Sequence, residues 1–215
     1  EERIARSLYH QGQERDLADS LSASVGDLSA ILYADANPLY TQRLKALCQT
    51  QPLVVVSHPY CYPMLRQVYQ GNFVYEAHNV EADLKQSILG HSPEHWQLIV
   101  DTERACAQQA SLVVACSQQD AQRLIELYQL DSNKVVVVAN GADTSQTQPA
   151  TPEQKQQARR ALGILPETLV AIFMGSYHGP NNEALEHIIN LAQASPAVTF
   201  IVLGSVARHA ELAML

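Results

Sequence analysis

The segment Tyr75-Glu76-Ala77-His78-Asn79-Val80-Glu81 gathers polar chemistry directly behind an apolar run, Phe73–Ala77. A histidine leaving a strand can donate a hydrogen bond or shuttle a proton. Asn79 and Glu81 beside it carry the donors and acceptors that fix a polyol. If the run is a strand of an open α/β sheet, the cluster stands at the carboxyl edge, where such sheets bind their ligands. The same residues can instead cap the next helix, and residue types alone leave both readings open. His58 holds the matching place behind Leu53–Ser57, where it would face the same cleft as His78, while Pro59 next to it serves a loop constraint equally well.

A second segment, Phe173-Met174-Gly175-Ser176-Tyr177-His178-Gly179-Pro180-Asn181-Asn182, reads as strand, glycine-containing loop and helix start. Glycine lets backbone amides approach an anion, and the unpaired N–H groups of a helix start favour negative charge. Gly175, Ser176 and Asn182 are therefore candidates for holding a phosphate. The spacing matches neither Walker A nor G-x-G-x-x-G, so a plain βα loop is the competing reading.

One pattern is a decoy. His91-Ser92-Pro93-Glu94-His95 has the H-x-x-E-H spacing of a metalloprotease class. That chemistry needs both histidines on one continuous helix, and Ser92-Pro93 reads as an N-cap followed by the first helical residue, leaving His91 outside. No metal site is expected. No Gly-x-Ser-x-Gly elbow supports a hydrolase.

These residues need strands and helices to place them. Runs at Leu53–Ser57, Phe73–Ala77, Leu112–Cys116, Val135–Ala139, Leu169–Met174 and Val198–Leu203 are apolar without strict alternation, which predicts strands covered on both faces. Helical segments separate most of them, so the pattern is βαβ and the sheets should be parallel. Asn37-Pro38, Ser117 and Thr151-Pro152-Glu153-Gln154 read as helix starts, the last as a capping box, and Gly163 as a helix stop. Pro180-Asn181-Asn182 leads into a helix with Ala184, Leu185, Ile188, Ile189 and Ala192 on one face. The polar stretch Asn140–Ala150 marks a domain boundary, with one domain over 1–143 and a second over 144–215. The opening reads as a helix from Glu2 to about Leu21, then a strand at Ile31-Leu32-Tyr33.

The 215 residues are 47% hydrophobic and 17% charged, with 14 Lys plus Arg against 22 Asp plus Glu and a net charge of -8. An acidic chain without a basic run lacks the footprint for a phosphate backbone, so nucleic acid is excluded as a partner. Cys48, Cys61, Cys106 and Cys116 show no C-x-x-C spacing and read as buried reduced thiols. With no signal peptide and no run of about 20 apolar residues, a cytoplasmic location is expected, compatible with peripheral contact at the inner membrane face. Both ends read as cut.

In order along the chain, SHPYCYPML, YEAHNVEADL, ASLVVACSQQDAQRL, KVVVVANGAD and IFMGSYHGPNNEAL resemble consecutive landmarks of family 4 glycosyltransferases, over roughly His58 to Leu203. The resemblance implies a GT-B-like α/β fold of two Rossmann-like domains with parallel sheets, both incomplete in this chain. It implies an acceptor-side first domain and a nucleotide-sugar-binding second domain, with the linker after Asn140–Asp143. His78 matches the histidine that lies near the donor sugar, and Gly175 with Ser176 matches the loop that approaches the diphosphate. Asn182, at the following helix start, belongs to the donor side, while Asn79, Glu81 and His58 fall on the acceptor side. The implied reaction transfers a sugar, with retention, from a nucleotide-diphosphate sugar to a hydroxyl of a sugar or lipid-linked glycan, without a cofactor. The chain departs from many relatives in having no basic residue around the glycine loop, and the family's acidic E-x7-E motif would fall beyond Leu215. It therefore reads as an internal fragment, expected to be inactive alone. An epimerase on the same scaffold and a non-catalytic nucleotide-sugar-binding domain are the competing readings.

Overall fold

Three helices open the chain: α1 (Leu8–Leu21), α2 (Gly26–Leu32) and α3 (Pro38–Thr50). The computed structural model describes residues 6–177 and 179–208, so the first part of the helix expected from Glu2 lies outside the described residues. Within them α1 starts at Leu8, where the Ser7 side chain accepts a hydrogen bond from the His10 amide. The strand expected at Ile31–Tyr33 is not formed, because Ile31 and Leu32 end α2. Leu28, buried with Val25, Tyr60, Leu89 and Ile99, anchors that helix, and packing overrides a three-residue preference for strand. Asn37 precedes α3 but makes no capping bond with its side chain. Its Oδ1 accepts from the Ser7 amide at 3.0 Å and its Nδ2 lies 2.6 Å from Nδ1 of the buried His10, so it ties α1 to α3 instead.

Four strands follow, β1 (Val55–Ser57), β2 (Val74–Ala77), β3 (Leu112–Ala115) and β4 (Val135–Val137), side by side in that order. All neighbours are parallel, with Val56 opposite Tyr75, Tyr75 opposite Val113 and Val113 opposite Val135. Parallel neighbours need crossovers. These are α4 (Tyr62–Val68), the pair α5 (Glu81–Leu89) and α6 (Pro93–Gln109), and α7 (Gln118–Tyr128). Ser117 caps α7 by accepting from the Asp120 amide. Since α6 starts at Pro93, His91 precedes it, and the metalloprotease spacing has no helix to act on.

Val56, Tyr75, Ala77, Val113 and Ala115 share one buried cluster with Leu65 of α4, Cys106 and Ala107 of α6, and Leu124 and Tyr128 of α7. Along β2 and β3 burial alternates, and Val74, Glu76, Leu112 and Val114 are only partly covered. Strands expected to be enclosed on both faces are thus fully enclosed on one. The four thiols are free, Cys48 and Cys106 buried, Cys61 and Cys116 partly exposed.

The chain divides into two units, Glu1–Gly141 and Ala142–Leu215. In the second, α8 (Pro152–Ala161) begins with a complete Thr151–Gln154 capping box, and Gly163, at φ +68°, ends it. Strands β5 (Leu169–Met174) and β6 (Val198–Leu203) pair in parallel across α9 (Gly179–Ala194), which buries Leu185 and Ile189. Among the described residues no helix is long and apolar enough to cross a membrane.

Candidate functional site

Because β1 and β2 are parallel, His58 and His78 leave the sheet at the same edge, one residue beyond each strand. Their rings lie 4.4 Å apart, centroid to centroid, at 37°. Each is held by a carboxylate. Nε2 of His78 is 3.3 Å from Oε2 of Glu76, which also accepts the Ser57 hydroxyl. Ser57 first and His78 second hold the Glu76 carboxyl below the usual carboxylate range. Nδ1 of His58 is 3.1 Å from Oε1 of Glu81.

Glu81 is 2% exposed, and its oxygens also accept from Asn79 Nδ2 at 3.4 Å and from the Tyr60 hydroxyl. Expected to fix a polyol directly, it is enclosed beneath His58, with both carboxylate oxygens already accepting hydrogen bonds. Asn79 is exposed and open to a ligand. The side chain of His78 is half-exposed, and the Cys116 thiol donates to its carbonyl at 3.1 Å. A hollow of about 220 Å³ opens there, lined by Glu76, His78, Cys116 and Asn140 among others, at the carboxyl ends of β2, β3 and β4. Burial, reinforced by Asp120, raises the pKa of the Cys116 thiol, so it is no ready nucleophile.

The loop that presents His78 and Asn79 is fixed from below by Glu103 of α6, which is 0% exposed. Its carboxylate accepts from the amides of Glu81 and Ala82, both at 2.9 Å, and from the hydroxyls of Tyr75 at 3.0 Å and Tyr128 at 2.6 Å. The first turn of α5 has no side-chain cap of its own, so a residue 22 positions away satisfies its orphan donors. Burial raises the Glu103 pKa above the ordinary carboxylate value, against the pull of those four donors. Neither Glu103 nor Tyr60 is singled out by the sequence: Glu103 lies mid-helix in α6, and Tyr60, three residues beyond β1, has its partner Glu81 far along the chain.

In the second unit Gly175 follows β5 as expected, but its backbone is engaged. Its N–H donates to the Leu203 carbonyl at 3.0 Å and its carbonyl accepts from Val206 at 3.2 Å. The Tyr177 amide donates to Ser205 Oγ at 2.7 Å. The amides of Gly175 and Tyr177 are thus engaged within the chain. The approach at 175 is close, because a Cβ there would meet the Asn181 side chain at 3.0 Å. Asn181 donates to the Ser176 carbonyl at 3.0 Å and to its hydroxyl at 3.3 Å. Asn182 sits in the first turn of α9, its Oδ1 buried without a hydrogen-bond partner among the described residues. His178 of this loop lies outside the described residues. No group of His, Cys, Asp and Glu suited to a metal ion occurs among them.

Gly204 closes the same turn at φ +89°, and a Cβ there would meet the Gly175 carbonyl oxygen at 2.3 Å. Gly204→Ala is expected to destabilise the second unit by more than about 1 kcal/mol, since both the backbone region and the space exclude a side chain. Thermal unfolding of the variant checks this, and an unchanged melting transition would show that the turn can move aside.

Solved structures share this architecture. The Anabaena Alr3699/HepE structure in complex with UDP-glucose superposes with a TM-score of 0.57 at 19% identity, over 85% of this chain and 48% of that one. The same protein in complex with UDP gives 0.54 at 16% identity, over 81% and 54%. These likenesses define the class as an α/β protein of the GT-B glycosyltransferase fold. The family model of Glycosyltransferase Family 4 matches residues 28–146, more than half of the chain, and the chain belongs to that family. Among curated relatives, D-inositol 3-phosphate glycosyltransferase of Corynebacterium aurimucosum is 32% identical over 126 residues, 55% of this chain and 29% of that protein. The Jonesia denitrificans protein of the same name is 35% identical over 121 residues, 54% and 28% respectively. The matched segment thus spans less than a third of those relatives.

Proposed function

We propose that the protein transfers a sugar from a nucleotide-diphosphate sugar to a hydroxyl of a sugar or lipid-linked glycan acceptor, with retention at the anomeric carbon. The observation that carries the reading is the pair of carboxylate-held imidazoles at the ligand-binding edge of a family 4 sheet. Such a reaction must stabilise an oxocarbenium-like sugar and a departing diphosphate, and donors fixed before the substrate arrives do this at little reorganisation cost. In this proposal His78 hydrogen-bonds the donor sugar, and Asn79 and His58 serve the acceptor side. Within the unit from Ala142 onward, Ser176 and the start of α9 near Asn182 are the groups suited to hold a diphosphate, with Gly175 shaping the turn. No cofactor is part of the scheme. The product would enter glycan, polysaccharide or glycolipid synthesis, on the cytoplasmic side and in peripheral contact with the membrane.

The complexes of HepE with UDP and UDP-glucose make a uridine nucleotide sugar the first donor to try. The names of the curated relatives make an inositol phosphate the first acceptor. A panel of nucleotide sugars, each incubated with the full-length protein with and without a hydroxyl acceptor, tests the reading, while the 215-residue chain by itself is expected to turn over none of them. Release of nucleotide diphosphate that requires the acceptor is the expected result. Conversion of the donor sugar without any acceptor would replace transfer by epimerisation.

A further inference from the structure

We propose that Glu81 is a positioning residue. Its buried carboxylate fixes His58 as the Nδ1–H tautomer, so that Nε2 is left to accept a hydrogen bond from the acceptor's nucleophilic hydroxyl. The inference rests on the sugar-transfer reading for the identity of the hydroxyl, and on geometry alone for the tautomer.

Three observations converge on His58. Its backbone stands at φ +66°, ψ +149°, a region that side chains other than hydrogen rarely adopt. Such a conformation persists only where its surroundings impose it. Here the His58 amide continues the ladder to the Glu76 carbonyl at 3.2 Å, and Pro59 and Tyr60, which follow at once, are buried.

Second, Glu81 offers the imidazole an acceptor and nothing else. Burial first, and the hydrogen bond to Glu81 second, push the Tyr60 pKa far above its ordinary value, so Tyr60 keeps its proton and donates it to Oε2. The Asn79 Nδ2 group donates to Oε1. A carboxylate surrounded by donors binds Nδ1 of His58 only if that nitrogen carries a hydrogen. In neutral imidazole the other nitrogen is then a bare acceptor.

Third, His58 is open where Glu81 is closed. Its side chain is 39% exposed against 2% for the Glu81 side chain, and among the described residues no hydrogen bond reaches Nε2. The stacking against Tyr60, with centroids 6.0 Å apart at 23°, and the contact with His78 leave the ring little freedom to turn. A histidine that merely filled space would need neither the buried carboxylate nor the strained backbone. An oriented lone pair beside the proposed donor-sugar histidine is what an incoming hydroxyl requires for alignment.

The test has two arms on the full-length protein. Long-range 1H–15N correlation of histidine-labelled protein reads the tautomer directly. Wild type is expected to show His58 protonated on Nδ1, and Glu81→Met, which keeps the volume but removes the acceptor, is expected to show Nε2–H. The wild-type spectrum needs no variant, and an Nε2–H signal there would overturn the proposal outright. In the sugar-transfer assay, Glu81→Met should lower kcat/KM for the acceptor by roughly tenfold, as one lost oriented hydrogen bond predicts, while the KM for the donor stays put. A merely structural role would lower the melting temperature and leave kcat/KM for the acceptor unchanged in the folded fraction, which would also overturn it. If wild type turns over no donor and acceptor pair, the transfer reading falls, and the spectrum still decides the Glu81–His58 arrangement.

Discussion

Replacing His78 by alanine in the full-length protein should lower kcat by roughly ten- to a thousandfold, the loss associated with one transition-state hydrogen bond. Melting temperature and nucleotide affinity should hardly change. The structure supports that separation of effects. The His78 side chain is 49% exposed, and its one ionic contact is to a Glu76 carboxylate that is itself 45% exposed, so little packing is lost with the imidazole. Nor does the turn depend on the ring, because the Cys116 thiol holds the His78 carbonyl and Glu103 holds the amides that follow. An interaction made mainly in the transition state lowers kcat and kcat/KM together. Measuring kcat and melting temperature on one preparation settles the matter: a destabilised but fully active variant would remove His78 from the site.

The largest stability effect is expected at Glu103. Glu103→Ala should cost about 3 to 5 kcal/mol, because it strands two backbone amides and two tyrosine hydroxyls in the core, each unsatisfied group costing about 1 to 3 kcal/mol. The hydroxyls of Tyr75 and Tyr128 can rotate toward other acceptors, whereas the amides of Glu81 and Ala82 cannot, which keeps the figure below a simple sum. Glu103→Gln retains one acceptor oxygen but turns an NH2 donor toward one of the two amides, which bond different oxygens, so it should rescue only part of the loss. Chemical denaturation of the three proteins provides the comparison. A loss under about 1 kcal/mol for the alanine variant would mean that α5 reaches another cap.

Much of this arrangement was legible before any coordinates. His58 and His78 could be found because each follows a β-branched run, and a parallel sheet sends both to one edge. Ser117 and Thr151 announced their helices because caps are local, needing only partners three residues on. What stayed hidden depends on distant partners. Glu103 lies mid-helix, and nothing nearby says that its carboxylate ends α5. The burial of Glu81 depends on Tyr60 and His58, more than 20 positions earlier. Asn37 has the residue type and place of a cap, yet α1 claims its side chain. Ile31-Leu32-Tyr33 carries strand-favouring residues, but Leu28, one helical turn earlier, commits the segment to helix. Gly175 reads in the sequence as an opening for an anion, and its bond to β6 and its close approach to Asn181 come from partners that the local pattern does not show.

The left-handed backbone at His58 bears on how such a position can vary over time. Glycine would fit that conformation at no steric cost, so a lineage selected only for a sturdier fold has a ready replacement in reach. Substituting glycine at position 58 would relieve that backbone while deleting the imidazole, so at this one position a sturdier fold and the ring beside His78 exclude each other.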